Sequence, residues 1–278
     1  MITEDEVLHF QTLGFLQCRQ LFSPDEIQAL SEAFDAAMER QRGGKPEPVL
    51  NQDEHGYSTA SQDEIPFFDT DPDAFYPLLD DARILDVFEQ LMGSDYIMAA
   101  HSAVIYGGGT PWHHDTVAPE GFFSMRAALY LDPLGPEDGC LTVIPGSHFK
   151  EFRDALVNTV GNFQHSNQLG INASELPGQY PLVNQPGDVI FMNHKLYHAS
   201  LKPRPGRRIL RVTCVQNTTP EKNREHYDWL VQYLNGITEG HGIIYSDGLL
   251  ANGGPRCQEL MARGLKIGFG TGNLIPSP

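Results

Sequence analysis

The segment Pro186-Gly187-Asp188-Val189-Ile190-Phe191-Met192-Asn193-His194-Lys195-Leu196-Tyr197-His198-Ala199-Ser200 admits two folds. As a helix it sets His194 and His198 on one face at i, i+4; as a strand it leaves a Pro-Gly-Asp turn and carries an apolar run over 189–192. The lead-in and the Val-Ile-Phe run favour the strand. Outward from it lie further short apolar runs at 97–106, 122–131, 140–144, 179–183 and 209–215, separated by Gly, Pro and Asp. Many short strands with turn signals between them predict an antiparallel sandwich or barrel, a mainly β fold with flanking helices.

Helices come before the strands and after them. Ser23 caps, Pro24 fits the first helical position and Glu26 completes a capping box, so the recurrence of Ile27, Leu30, Phe34 and Met38 predicts an amphipathic helix over 24–40. A second helix is predicted over 82–92, stopped by Gly93, and a third over 221–234, followed by a Gly-rich tail. Residues 41–72, rich in Gly, Pro, Gln and Asp, read as a long loop of the kind that more often serves function than idles. No repeat or linker forces a division. The expectation is one domain over 1–278: a helical part and loop over 1–95, a β core over 96–216, and a helix and tail over 217–278.

Trp112-His113-His114-Asp115-Thr116-Val117 holds the chemistry. In a strand, residues i and i+2 share a face, so His113 and Asp115 would aim an imidazole and a carboxylate at one point. His-x-Asp alone is commonly an ordinary surface pair; with His198 it becomes two histidines and a carboxylate, a facial triad that leaves positions open on a metal, as in non-haem Fe(II) oxygenases.

The surroundings of the triad are specific. Thr110-Pro111-Trp112 leads into it, and Gly139-Cys140-Leu141-Thr142-Val143-Ile144-Pro145-Gly146-Ser147-His148, Pro186-Gly187-Asp188, His198-Ala199-Ser200 and Arg207-Arg208 follow in that order. The set, with Gly14-Phe15-Leu16 upstream, resembles the phytanoyl-CoA dioxygenase family of Fe(II)- and 2-oxoglutarate-dependent oxygenases across residues 8 to 216. The resemblance implies a double-stranded β-helix, a cupin-like jelly roll, with His113, Asp115 and His198 as iron ligands. It also implies an arginine, about ten positions past the distal histidine, that grips the far carboxylate of 2-oxoglutarate as a bidentate partner. Arg207 is the first choice; Arg208 is its rival, because a one-residue slip exchanges the faces. Ser200 shares the strand face of His198 and can bond the same carboxylate, and Thr110 matches a family position that often touches the cosubstrate. The implied cofactors are Fe(II), 2-oxoglutarate and O₂, with succinate and CO₂ released and no obligatory acid or base beyond the metal ligands. Relatives that halogenate replace the carboxylate ligand with a small residue; Asp115 is retained here, so hydroxylation, desaturation or ring formation is preferred.

Other polar residues have plainer readings. His114 alternates away from His113 and reads as packed, His194 as a non-ligand, and His148 as a hydrogen-bonding turn residue; His101 and His165 carry no assignment. Arg126, a charge inside an apolar strand, reads as a rim salt bridge or, more sharply, as an anchor for an anionic substrate. Lys195, Lys202 and Arg204 read as a solvated rim, and Gly268-Phe269-Gly270-Thr271-Gly272 lacks the spacing of a dinucleotide loop.

With 19 Lys plus Arg against 36 Asp plus Glu, the net charge of −17 disfavours nucleic acid and anionic membranes as partners. Four scattered cysteines form no Cys-x-x-Cys unit and are expected to be reduced. An acidic N-terminus and the lack of a long apolar run suggest a cytoplasmic protein, monomer or homodimer, acting on a small molecule. The alternatives are a cupin-like metal-binding protein without turnover and an oxygenase acting on an acyl-CoA.

Overall fold

Along Val189-Ile190-Phe191-Met192 alternate side chains go opposite ways, Val189 and Phe191 toward helices, Ile190 and Met192 toward a second sheet, and all four are buried. A strand covered on both faces has no polar side to show, which is why the run is continuously apolar. The computed structural model describes residues 1–45, 51–52, 58–59, 62–65, 71–160 and 170–276.

The chain begins with α1 (Glu4–Leu13), β1 (Phe15–Cys18), α2 (Pro24–Arg42), β2 (Asn51–Gln52), β3 (Ser58–Thr59), β4 (Gln62–Ile65), α3 (Pro72–Phe75) and α4 (Ala82–Met92). The β core follows with β5 (Tyr96–Tyr106), β6 (Thr110–His113), β7 (Ser124–Tyr130), β8 (Leu141–Val143), α5 (Lys150–Val160), β9 (Tyr180–Pro181), β10 (Val189–Asn193), β11 (His198–Ser200) and β12 (Arg207–Gln216). Three helices close it: α6 (Arg224–His241), α7 (Asp247–Asn252) and α8 (Pro255–Lys266).

Six strands pair in the order β1-β10-β7-β12-β5-β4, and four in the order β6-β11-β8-β9, all antiparallel. The two sheets face each other as a jelly roll. Ala127, Leu129, Leu210 and Val212 turn outward onto the helical layer, whereas Ala128, Tyr130 and Ile209 turn inward. Behind the smaller sheet, Trp112, Ile144, Tyr197 and Ala199 make a third cluster.

Several elements depart from expectation. α1 is held by a Thr3–Glu6 capping box and ended by Gly14 at φ +86°, but only Phe10 of it is buried, so no apolar stripe announces it. The segment 41–72 is not simply a loop: it contains β2, β3 and β4, with α3 beginning at its last residue, and β4 extends the larger sheet along β5. Residues 46–50, 53–57, 60–61 and 66–70 of it, and His165, lie outside the described residues. The tail is corrected too. Ser246 caps α7 and Pro255 opens α8, and Gly264 inside α8 marks close packing, since a Cβ there would sit 2.7 Å from the Tyr245 hydroxyl. Among the described residues no helix is long and apolar enough to cross a membrane, and all four cysteines are free thiols.

Candidate metal centre

Strand β6 ends at His113, and Asp115 lies in the bend just beyond it, so the two do not share a strand face as predicted. A different bond brings the carboxylate in: the Asp115 N–H donates to the His194 carbonyl at 2.8 Å, folding the bend back under the mouth of the barrel. His198 arrives from β11, directly opposite His113 in antiparallel register, with ring centroids 4.2 Å apart. Asp115 Oδ1 is then 3.6 Å from His113 Nε2 and 3.7 Å from His198 Nε2. One ligand atom from each residue lies within 4.8 Å of the others.

Three features suit these residues to a divalent metal. His113 Nδ1 faces the Pro111 carbonyl at 2.7 Å and His198 Nδ1 the Leu196 carbonyl at 2.9 Å, which places the proton on Nδ1 and leaves both Nε2 lone pairs aimed at the shared point. Asp115 Oδ2 is buried without a hydrogen-bond partner among the described residues. Two imidazoles and one carboxylate on one side are also the donor set of the facial triad.

Charge follows the geometry. Burial opposes ionisation of Asp115, yet Arg126 and the histidines outweigh it and hold the carboxyl well below its usual range. Burial pushes His198 down to about 4, so its imidazole is neutral at physiological pH. His113 is more open; burial works against its charged form, but the hydrogen bond and charge of Asp115 prevail and its pKa rises.

The triad opens into a cavity of about 260 Å³ between the sheets, and Thr110, Ser200 and Arg207 line it as well. Arg207 points inward from the first residue of β12 and is buried. Its Nη1 donates to the Gly139 carbonyl at 2.7 Å and to Ser200 Oγ at 2.5 Å, its Nε to the Arg204 carbonyl at 3.0 Å, and its Nη2 to the Gly108 carbonyl. Ser200 in turn donates to Gly139. Arg208 faces the other way, paired with Asp132 and Asp35 at 3.0 Å each.

Arg126 is not at a rim. It sits on the inner face of β7 with Nη1 3.3 Å from Asp115 Oδ2, and its Nε has no hydrogen-bond partner among the described residues. Lys195, expected to be solvated, is buried, its ammonium donating to the Pro119 carbonyl at 2.7 Å. His114 bonds the Thr116 carbonyl and His148 the Gln11 carbonyl. His194 is buried with its Nε2 unpartnered among the described residues, and burial drives it down to about 3. The sequence reading missed Tyr106, Arg211 and Glu64. Arg211 lies four residues beyond Arg207 on one strand, so strand periodicity alone puts both on the same face. It bonds Ser102, the Tyr106 hydroxyl and Glu64.

The family model for phytanoyl-CoA dioxygenase matches residues 10–207. No curated protein matches the sequence. Among solved structures, HygX from Streptomyces hygroscopicus, with nickel and 2-oxoglutarate bound, superposes with a TM-score of 0.57 at 19% identity, over 78% of this chain and 88% of that one. AviO1 from Streptomyces viridochromogenes Tue57 gives 0.55 at 20%, over 80% and 100%. SnoK, a non-haem α-ketoglutarate-dependent carbocyclase from nogalamycin biosynthesis, gives 0.56 at 14%, over 77% and 84%. At such identities the likeness is one of fold.

Proposed function

The chain belongs to the phytanoyl-CoA dioxygenase family of Fe(II)- and 2-oxoglutarate-dependent oxygenases, and from that premise we propose that it hydroxylates a C–H bond of a small organic metabolite or natural product. The observation that carries the site assignment is the convergence of His113 Nε2, the Asp115 carboxylate and His198 Nε2 on one point of a cavity that Arg207 also lines. These three would hold iron, and residues 1–278 would form one catalytic domain.

When bound, iron with 2-oxoglutarate and O₂ supplies the oxidant for C–H cleavage, one oxygen atom ending in succinate and the other in the product, with loss of CO₂. The protein's part is placement. Arg207 would take the distal carboxylate of 2-oxoglutarate, assisted by the hydroxyls of Ser200 and Thr110. Four of the five guanidinium N–H groups already have protein acceptors. A two-pronged grip therefore requires one internal bond to be exchanged for the ligand. Arg126 would hold an anionic group of the substrate beside the metal, and the apolar lining of Ile190, Met192 and Ile209 would keep water scarce around the reacting carbon.

The test is succinate release from 2-oxoglutarate by the Fe(II)-loaded protein over a panel of small metabolites, with the product examined for the added mass of one oxygen atom. Absence of succinate throughout, with metal bound, would leave a metal-binding protein without turnover.

A further inference from the structure

A second cavity, of about 160 Å³, lies on the other side of Arg126 and Arg211, which line both spaces and so form the partition between them. Its far wall comes from α6, through Tyr233, Ile237 and His241, beyond the residues matched by the family model. Its other side is β5, with His101 and Ser102, and Glu64 of β4. We propose that this chamber is the substrate subsite, and that it takes the carboxylate end of a small, hydroxylated or amino-substituted monocarboxylic acid, with Arg126 as the carboxylate's partner. The inference rests on the metal and 2-oxoglutarate assignments above and names the substrate class they leave open.

Polarity excludes a hydrocarbon. Only Ala100 and Ile237 among the lining residues lack a side-chain polar atom. An alkyl or acyl chain seated here would strip water from arginine, glutamate, histidine and hydroxyl groups and return no hydrogen bonds, a penalty for every group left unsatisfied. A substrate with several hydroxyl or amino groups replaces that water.

Charge selects the anion. Among the described residues the two cavities are lined by three arginines, Arg126, Arg207 and Arg211, against two carboxylates, Asp115 and Glu64. Arg211 is matched by Glu64 at 2.5 Å. A divalent metal and the doubly charged keto acid cancel each other, so among the described lining residues one positive charge is left without a counterion. Geometry places it on Arg126: the one carboxylate in ion-pair contact with it among the described residues, Asp115, is the one assigned to the metal, and its Nε lacks an acceptor among the same residues. A buried cation without a partner is costly, and a single carboxylate from the substrate neutralises it. Arg126 Nη1 itself stands 3.3 Å from the Asp115 carboxylate, so the carbons nearest a carboxylate held by Arg126 are those presented for oxidation.

Ni(II)-loaded protein, saturated with 2-oxoglutarate, is titrated calorimetrically with a panel of small hydroxy and amino monocarboxylates and with the primary amide of each. The Fe(II)-loaded protein is assayed in parallel for succinate release. The expected result is that at least one acid binds and stimulates succinate formation at least tenfold better than its amide. Ile237→Trp, which fills the chamber, and Arg126→Lys, which keeps the charge but loses the fork, each raise KM for that acid more than tenfold relative to KM for 2-oxoglutarate. The inference is overturned if no acid outperforms its amide, or if both variants leave that ratio of KM values within threefold of wild type. Failure of the wild-type protein to bind 2-oxoglutarate at all would instead overturn the cosubstrate assignment, and the inference with it.

Discussion

Exchanging Arg207 and Arg208 in turn for lysine separates two neighbouring residues that differ only in which face of β12 they occupy. Arg207→Lys replaces a fork of five donors with one ammonium, which cannot reach the carbonyls of Arg204, Gly139 and Gly108 and the Ser200 hydroxyl together. Gly139 keeps the Ser200 hydroxyl as donor, so the groups left short are the Arg204 and Gly108 carbonyls. At about 1 to 3 kcal/mol for each acceptor left short, the fold loses about 2 to 6 kcal/mol. On the ligand side, losing one charge-assisted hydrogen bond costs about 1.5 to 3 kcal/mol, or roughly 10- to 150-fold in Kd for 2-oxoglutarate. Arg208→Lys disturbs ion pairs with Asp132 and Asp35 on the outside of the barrel, about 1 kcal/mol at most, and leaves 2-oxoglutarate affinity within twofold. Calorimetric titration of 2-oxoglutarate into the two Ni(II)-loaded variants, with thermal unfolding alongside, measures both effects. If Arg208→Lys weakened binding more than Arg207→Lys, the inward assignment of Arg207 would be wrong.

Three further outcomes follow from the same geometry. Asp115→Asn keeps the shape of the side chain but removes the anionic ligand, and is expected to weaken Fe(II) or Ni(II) binding by about 100-fold or more in chelator competition; a change under threefold would remove Asp115 from the site. His194 and His198, held neutral to about 3 and about 4, refuse protons that the unfolded chain accepts below about pH 6.5, so the metal-free protein loses stability as pH falls toward those values. His113, shifted upward, acts in the opposite sense, its contribution fading as pH rises through its folded value. Urea midpoints at pH 7 and pH 5 should show wild type losing about 2 kcal/mol more than His194→Gln over that interval, and equal losses would contradict the burial argument. Gly139→Ala puts a Cβ 2.8 Å from the Pro203 Cα and 3.1 Å from Arg207 Nη1 at φ +77°, and should cost about 2 kcal/mol or more in a urea titration while weakening 2-oxoglutarate.

The fold class was legible because its strands are buried on both faces or punctuated by Gly, Pro and Asp, and β10 is the clearest example. The triad was legible as a set of residues, but for a reason that holds only in part. His113 and His198 do meet as strand neighbours, whereas Asp115 is delivered by a bend and a backbone hydrogen bond to His194, a contact between distant segments that spacing cannot encode. Glu64 was hidden for another reason: its strand is short and polar and pairs with β5 at the edge of the sheet, so it carries no apolar alternation. In the tail, the glycines drew attention away from Ser246 and Pro255, the local cap chemistry that starts α7 and α8.

One strand pair carries most of the site, and its two faces have separate tasks. In the β6–β11 ladder His113 stands opposite His198 and Thr110 opposite Ser200, with a register shift between the rungs, and all four side chains line the cavity. A three-residue strand such as β11 has too few hydrogen bonds to hold His198 and Ser200 in place by itself. β8 fixes its other edge, residue for residue from His198↔Val143 to Ser200↔Leu141. From behind, Trp112 stacks on Tyr197 with ring centroids 5.6 Å apart and planes at 16°, and both pack with Ala199 and Ile144. The tryptophan that precedes His-x-Asp therefore never needs to touch the metal. It occupies the outward face at the position where His113 occupies the inward one, and by burying that face it sets the depth at which the imidazole meets Asp115 and His198.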